Sequence, residues 1–119
     1  MSQSGDHLDW ELSVRLAGGS PELAREMLEM LADALPEQMR TLEAAAADQD
    51  LERARDAAHA IRGAAAYCGV PRLQLAARVV EEAVDTGEPT LVAAEMDLLR
   101  CDVEALLDAC SGRLKRSPE

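Results

Sequence analysis

The chain has 119 residues, 48% of them hydrophobic, with no Phe, one Trp and one Tyr, and it carries a formal charge of −11. This length suits one domain with a single core, and a core assembled from Leu, Ala, Met and Val favours helices. The acidic balance argues against nucleic acid as a partner, and no stretch approaches the roughly 20 apolar residues of a membrane span, so no direct membrane contact is expected.

Residues 1–5 read as a disordered lead, without the apolar run of a signal peptide. A short helix from Asp6 or Asp9 to Ala17 follows, with Leu8, Leu12 and Leu16 on one side and Trp10 as an anchor across the rest of the fold; Gly18 and Gly19 stop it. Ser20 and Pro21 then form a helix start, serine as N-cap and proline at the first helical position. The series Leu28, Leu31, Leu35, Met39, Leu42 and Ala46 continues through Pro36, which predicts one long helix to about Ala47, bent near its middle, with a break at Leu35 into two helices as the alternative. Asp48, Gln49 and Asp50 make the turn, and Asp50 is the N-cap of the next helix.

That next helix carries the stripe Leu51, Ala54, Ala58, Ile61, Ala65 and Cys68, and is expected to end at a left-handed Gly69. Pro71 restarts the chain, and Leu73, Ala77, Val80 and Val84 run to a stop at Thr86 and Gly87. Pro89 opens the last helix, whose Val92, Met96, Leu99, Val103, Leu106 and Cys110 repeat without a slip. The pattern is lost from Ser111 onward, so residues 6–110 form the domain and residues 111–119 a flexible tail. The fold class is all-α: an antiparallel four-helix bundle with a short additional N-terminal helix. Cys68, Cys101 and Cys110 show no close pairing and are each placed on an apolar stripe, which predicts buried, reduced thiols in a cytoplasmic protein.

His59 is off the stripe of its own helix. At about 100° per residue it stands roughly 130° from the stripe's centre, beside Arg55, Arg62, Gly63 and Ala66, so its imidazole faces water or a partner. Gly63 costs a helix interior about 1 kcal/mol relative to alanine. Something must offset it: four residues after His59, with Ala66 beyond, it leaves a bare patch over which another protein's backbone can slide. Residues 51–80 also hold five arginines (Arg53, Arg55, Arg62, Arg72, Arg78) against Glu52 and Asp56, an excess suited to an acidic partner pocket. An exposed imidazole, an arginine one turn on and a cleared surface suggest a nucleophile that works inside another protein's active site.

The string His59-Ala60-Ile61-Arg62-Gly63-Ala64, followed by Gly69 and Leu73, resembles the phosphoacceptor motif of histidine-containing phosphotransfer (HPt) domains. The run from Tyr67 to Leu73 and the opening from Leu8 to Leu28 resemble in particular the C-terminal HPt domain of hybrid sensor kinases of the BarA/GacS type. The resemblance implies that His59 accepts a phosphoryl group from the aspartyl phosphate of a response-regulator receiver domain and passes it to another receiver. It implies further that Arg62 and Glu81 assist the phosphoryl group, and that Arg55, Gly63 and Ala66 meet the docked partner. Ala60 and Arg62 stand where the family often has lysines, and Glu81 matches the family's Glu or Gln facing the histidine's helix. The chain is then a phosphoryl carrier and not an enzyme, either free in the cytoplasm or the cytosolic end of an inner-membrane hybrid sensor kinase, a monomer that binds no cofactor, the Mg²⁺ belonging to the receiver.

Other classes lack their parts. Asp56 and His59 imitate the acidic-x-x-His spacing of di-metal bundles, but no second such pair exists, so no metal is expected. There is no P-loop, nucleotide lid or Gly-x-Ser-x-Gly. Two rivals stay open at the level of sequence: a degenerate HPt-like adaptor that docks receivers without accepting phosphate, which Ala60 keeps alive, and a kinase dimerisation hairpin, which would lead into an ATP-binding domain and be dimeric.

Overall fold

The computed structural model describes residues 7–115, and over these the chain is helical with no strand. Five helices follow in order: α1 Trp10–Leu16, α2 Pro21–Ala47, α3 Leu51–Ala65, α4 Pro71–Thr86 and α5 Pro89–Lys115. α2 packs on α3, α3 on α4, α4 on α5, and α5 closes back on α2, while α1 leans on α2. Short turns between successive neighbours make this the expected four-helix bundle with an extra leading helix. Two 27-residue helices, each about 40 Å long at 1.5 Å per residue, account for most of the 48 Å long axis.

The helix starts are those that local chemistry dictates. Ser20 accepts from the Leu23 N–H and Asp50 from the Arg53 N–H, each filling an orphan donor of a first turn. Asp9, not Asp6, caps α1 through the Leu12 N–H. Pro71 and Pro89 open α4 and α5. α2 runs on through Pro36 as one helix. Gln49 turns the chain into α3 with a left-handed φ of 58°, and Gly87 ends α4 at φ 76°.

The core is a column of stripes: Leu28, Leu31, Leu35, Met39 and Leu42 from α2, Ala54, Ala58, Ile61 and Ala65 from α3, Leu73, Ala77, Val80 and Val84 from α4, and Val92 to Cys110 from α5. With no Phe to fill space, close approach of alanine-lined helices does the work of bulk.

Five expectations need correction. Leu51 opens the α3 stripe on paper, yet it is 43% exposed, because as the helix's first residue it lies at the mouth of a groove between α2 and α5 rather than beneath α2. Leu16 is likewise exposed, at the last turn of α1. Cys101 is exposed too: two residues from both Leu99 and Val103, it points roughly 200° away from the former, on the far side of α5. α5 continues past Cys110 to Lys115, so the first residues of the supposed tail are helical; residues 116–119 and the lead at residues 1–5 lie outside the described residues.

The fifth correction concerns Gly69, which is absent from the glycines with positive φ. α3 ends at Ala65, and hydrogen-bonded turns carry the chain on to Cys68. At Gly69 the backbone presses against α1: the Asp9 N–H donates to the Gly69 carbonyl at 2.7 Å, and the Gly69 N–H donates to Ser13 Oγ at 2.9 Å. A Cβ on Gly69 would collide with the Asp9 carbonyl oxygen and sit 2.7 Å from both N and Oγ of Ser13. The glycine is required by close approach, not by handedness.

Candidate functional site: the α3–α4 face around His59

α3 and α4 are joined along their outer edges by a ladder of polar pairs. At one rung Arg55 Nε donates to Asp85 Oδ1 at 2.7 Å. One turn on, His59 Nδ1 lies 2.9 Å from Glu81 Oε2, and Arg62 Nε donates to Glu81 Oε1 at 3.1 Å. The spacing of four residues on both helices, 55 to 59 on α3 and 81 to 85 on α4, generates these rungs, since such residues stack on one face.

Glu81 is the odd member. Its side chain is only 7% exposed, while that of His59 is 64% exposed. A carboxylate so enclosed needs partners for its oxygens, and it has one on each. Arg62 supplies the countercharge. An ionised carboxylate can only accept, so the ring nitrogen that faces it carries the proton: His59 is held with hydrogen on Nδ1. Nε2, at the opposite vertex of the ring, keeps its lone pair and points away from Glu81. The arrangement presents a nucleophilic nitrogen to solvent from a ring whose other end is anchored in the bundle.

Arg62 NH2 also stands 3.2 Å from His59 Nδ1. With the Nδ1 proton engaged by Glu81 there is no lone pair there to accept, so this is a close approach and not a second hydrogen bond.

The exposed face expected from the sequence is present. Arg55, Ala60, Gly63 and Ala66 all lie at the surface near His59, and a Cβ on Gly63 would meet nothing within 4 Å. Tyr67, in the turn after α3, and Leu23 and Met30 on α2 are exposed apolar side chains. Arg55 is less available than the sequence suggests, because Asp85 holds it, and that hydrogen bond raises its already high pKa. Arg62 bonds to Glu81 instead of projecting beside Nε2. Among the described residues, no group of three or more His, Cys, Asp or Glu is placed to hold an ion. His7 lies apart, ahead of α1. Among the described residues no helix is long and apolar enough to cross a membrane.

Sequence reasoning missed Ser13, the buried hydroxyl that ties α1 to the turn after α3. One serine between Leu12 and Val14 gives no signal of that kind.

Comparison with known proteins agrees with this geometry. Residues 26–109 match the family model described as the Hpt domain. The signal transduction histidine-protein kinase BarA of Shigella flexneri is 35% identical over 108 residues, covering 84% of this chain and 12% of that protein. Sensor protein GacS of Pseudomonas syringae is 35% identical over 102 residues, covering 82% of this chain and 11% of its own length. The chain therefore spans about an eighth or less of the curated relatives it matches. Among solved structures, the HPT domain of a sensor hybrid histidine kinase from Shewanella superposes with a TM-score of 0.84 at 28% identity, covering 94% of this chain and 97% of that one. Histidine-containing phosphotransfer protein B of Pseudomonas aeruginosa PAO1 shares the fold, with a TM-score of 0.83 at 21% identity over 93% of this chain and 96% of its own. With its bundle, its exposed histidine and its carboxylate partner on the neighbouring helix, this chain belongs to the Hpt domain family.

Proposed function

We propose that this chain is a phosphoryl carrier of a multistep phosphorelay, taking a phosphoryl group on Nε2 of His59 from the aspartyl phosphate of one receiver domain and giving it to the aspartate of another. The single observation that carries this reading is the hydrogen bond that the buried Glu81 accepts from Nδ1 of an imidazole that is otherwise in solvent. In the forward step the Nε2 lone pair attacks phosphorus, the Nε2–P bond forms, and the P–O bond to the donor aspartate breaks, its electron pair leaving with the carboxylate. No proton has to move. The ring keeps its Nδ1 proton and gains positive charge, which the Glu81 carboxylate opposite stabilises. The reverse step runs through the same geometry, so the carrier is bidirectional.

The chain supplies position and the receiver supplies the rest. Mg²⁺ belongs in the receiver, and no cofactor is assigned to this chain. Gly63 and Ala66 leave the surface low enough for a receiver to bring its phosphate to Nε2, and the exposed Tyr67 and Met30 suit the rim of that contact. The domain works as a monomer, in the cytoplasm, where receivers are found. The adaptor reading rests on Ala60, the position after the histidine. Ala60 is at the surface, and the partners that fix the imidazole come from Arg62 and from α4, so its missing charge leaves the acceptor intact.

The test is phosphotransfer from a phosphorylated receiver to the purified chain. The parent becomes labelled with an acid-labile, alkali-stable phosphate and His59→Gln does not. Equal labelling of the two proteins, or tight receiver binding with no label on the parent, would remove the carrier reading.

A further inference from the structure

α5 is apolar on two sides, and the bundle uses one of them. Val92, Met96, Leu99, Val103 and Leu106 are buried in the core. Leu91, Ala94, Leu98, Cys101 and Ala105 form a second series in steps of three, four, three and four, the spacing by which one helix lies along another. The first four of these are exposed and Ala105 is half-buried. Leu98 is 59% exposed and Leu75, on α4, 54%. A groove of about 470 Å³ runs between the two helices, lined by Leu75, Ala76 and Val79 from α4 and by Glu95, Leu98 and Asp102 from α5. Scattered leucines are ordinary on a protein surface, whereas a spaced row beside a groove marks a contact.

We propose that this α4–α5 face docks a basic amphipathic helix of another polypeptide, its apolar side chains in the groove and its lysines or arginines against the carboxylates of α5. Charge selects that occupant. At about 100° per residue, Glu95 and Asp102 border the stripe on the α4 side and Asp97 and Glu104 on the other, while Arg100 is the single cation of α5 between positions 91 and 105. Arg100 bonds to Glu43 and Asp97, and Arg72 of α4 pairs with Asp102. Four bordering carboxylates against these two arginines leave a negative excess. A second copy of this chain would set acid against acid, in a molecule whose formal charge is already −11, and an anionic membrane is repelled for the same reason. The ends of the chain do not supply the helix. Residues 1–6 hold Met1 as their one large apolar residue, and residues 116–119 span about 14 Å at full stretch, whereas Leu98 is about 25 Å back along α5 from Lys115.

The face is also separate from the acceptor. Val79 and Glu81 lie about 200° apart around α4, so the groove opens on the side away from the carboxylate that holds His59. Two partners of opposite charge then fit at once, an acidic pocket on α3 and a basic helix on α4 and α5. The inference goes beyond the carrier reading and does not rest on it.

The probe is a fluorescein-labelled helical peptide of roughly 18 residues, five turns, with Leu on one face and Lys on the other, titrated with the whole chain and followed by anisotropy. A Leu/Glu peptide of the same pattern and a Leu/Lys peptide of scrambled order are its controls. The patterned Leu/Lys peptide should bind one to one, moving the ¹⁵N–¹H signals of Leu75, Val79, Leu98 and Cys101 and leaving those of His59 and Gly63 in place. Leu98→Glu, at an exposed position and checked for an unchanged thermal melt, should weaken binding by about 10-fold, the order of losing one central anchor. Glu95→Gln with Glu104→Gln should weaken it by about 3-fold and lower its salt dependence. Phosphoramidate, which transfers its phosphoryl group with ammonia as the leaving group and needs no receiver, should label His59 at the same rate with the peptide bound.

Equal binding of either control peptide, parent affinity in Leu98→Glu, or shifts confined to the groove beside Leu51 overturns the proposal. So does a dimer in light scattering that Leu98→Glu dissociates, which would make the occupant a second copy, or Leu98-dependent binding to phosphatidylglycerol vesicles, which would make it a membrane. Failure of the carrier reading looks different: no donor labels His59, and the peptide results stand.

Discussion

Gly63 and Gly69 belong to the same segment, six residues apart, and the surroundings of the two are opposite. Around Gly63 a Cβ would meet nothing; at Gly69 it would strike the backbone of Asp9 and Ser13. Both positions exclude a side chain, one for a surface that lies outside the molecule and one for the molecule's own N-terminal helix. The acceptor face is open because nothing among the described residues covers it. The α1 junction is closed because a short helix of seven residues, unable to stand alone, borrows two hydrogen bonds from the turn after α3.

The sharpest way to break this comparison is Gly69→Ala. The atoms in the way are main chain and a buried hydroxyl, which cannot swing aside as a flexible side chain would, so the penalty should be roughly 3 kcal/mol. It has a ceiling, because the molecule can escape by releasing α1, and the loss cannot exceed what docking that helix contributes. Denaturant melts would give the size. The single tryptophan, Trp10, sits in α1 against the core, so its emission should shift to the red if release is the route taken. An alanine variant as stable as the parent would show that the α1 junction is looser than its geometry.

Gly63→Ala should act in the opposite direction. An exposed glycine in a helix interior with open space at its Cβ becomes more stable by about 0.5–1 kcal/mol on replacement, through lower backbone entropy of the unfolded chain. If the bare patch serves a docked receiver, the same variant should accept phosphate from a receiver more slowly while its labelling by phosphoramidate is unchanged. A more stable protein that transfers less well would mark Gly63 as retained for the partner. Unchanged transfer from the receiver would mean that the patch is not under it.

These two glycines also show what the sequence makes legible. Helix starts are local events, and Ser20, Asp50, Pro71 and Pro89 announced them correctly from chemistry within three or four residues. The position of His59 followed from the 3.6-residue period, and its exposure agrees. Periodicity gives an angle, however, and says nothing of what lies at that angle. Gly69 and Ser13 are 56 residues apart in the chain, so neither carries a trace of the other. The split of Glu81 between His59 and Arg62 depends on which guanidinium nitrogen turns inward, a matter of side-chain rotamers beyond any spacing rule. Leu51 failed for a related reason: a stripe says which side faces the core, not where along its length the neighbouring helix stops.

The cysteines give the gentlest probe of the same contrast. Cys68 precedes Gly69 and is buried with its Sγ toward the Met27 carbonyl oxygen; burial raises its pKa. Cys110 is buried in α5, and burial first, with Cys68 adding to it, pushes its thiol up to about 11. Cys101 is exposed. The thiolate is the form that attacks a thiol reagent, so at pH 8 only the exposed Cys101 should react promptly, and the other two only as fast as the fold opens. In Gly69→Ala, Cys68 should become the faster of the buried pair, because it is the one whose cover depends on the α1 junction. The pH dependence has a fixed sign. The folded state holds the Cys110 proton more tightly than the unfolded chain, so that part of the stability is intact below pH 9.0 and is lost as pH rises toward about 11. Replacing Cys110 with alanine should flatten that alkaline decline without touching phosphoryl acceptance at His59, since the thiol lies on α5, away from the face that α3 and α4 build. Prompt labelling of all three cysteines in the parent at pH 8 would instead mean that this end of the bundle opens readily, and the contrast between a closed junction and an open acceptor face would dissolve.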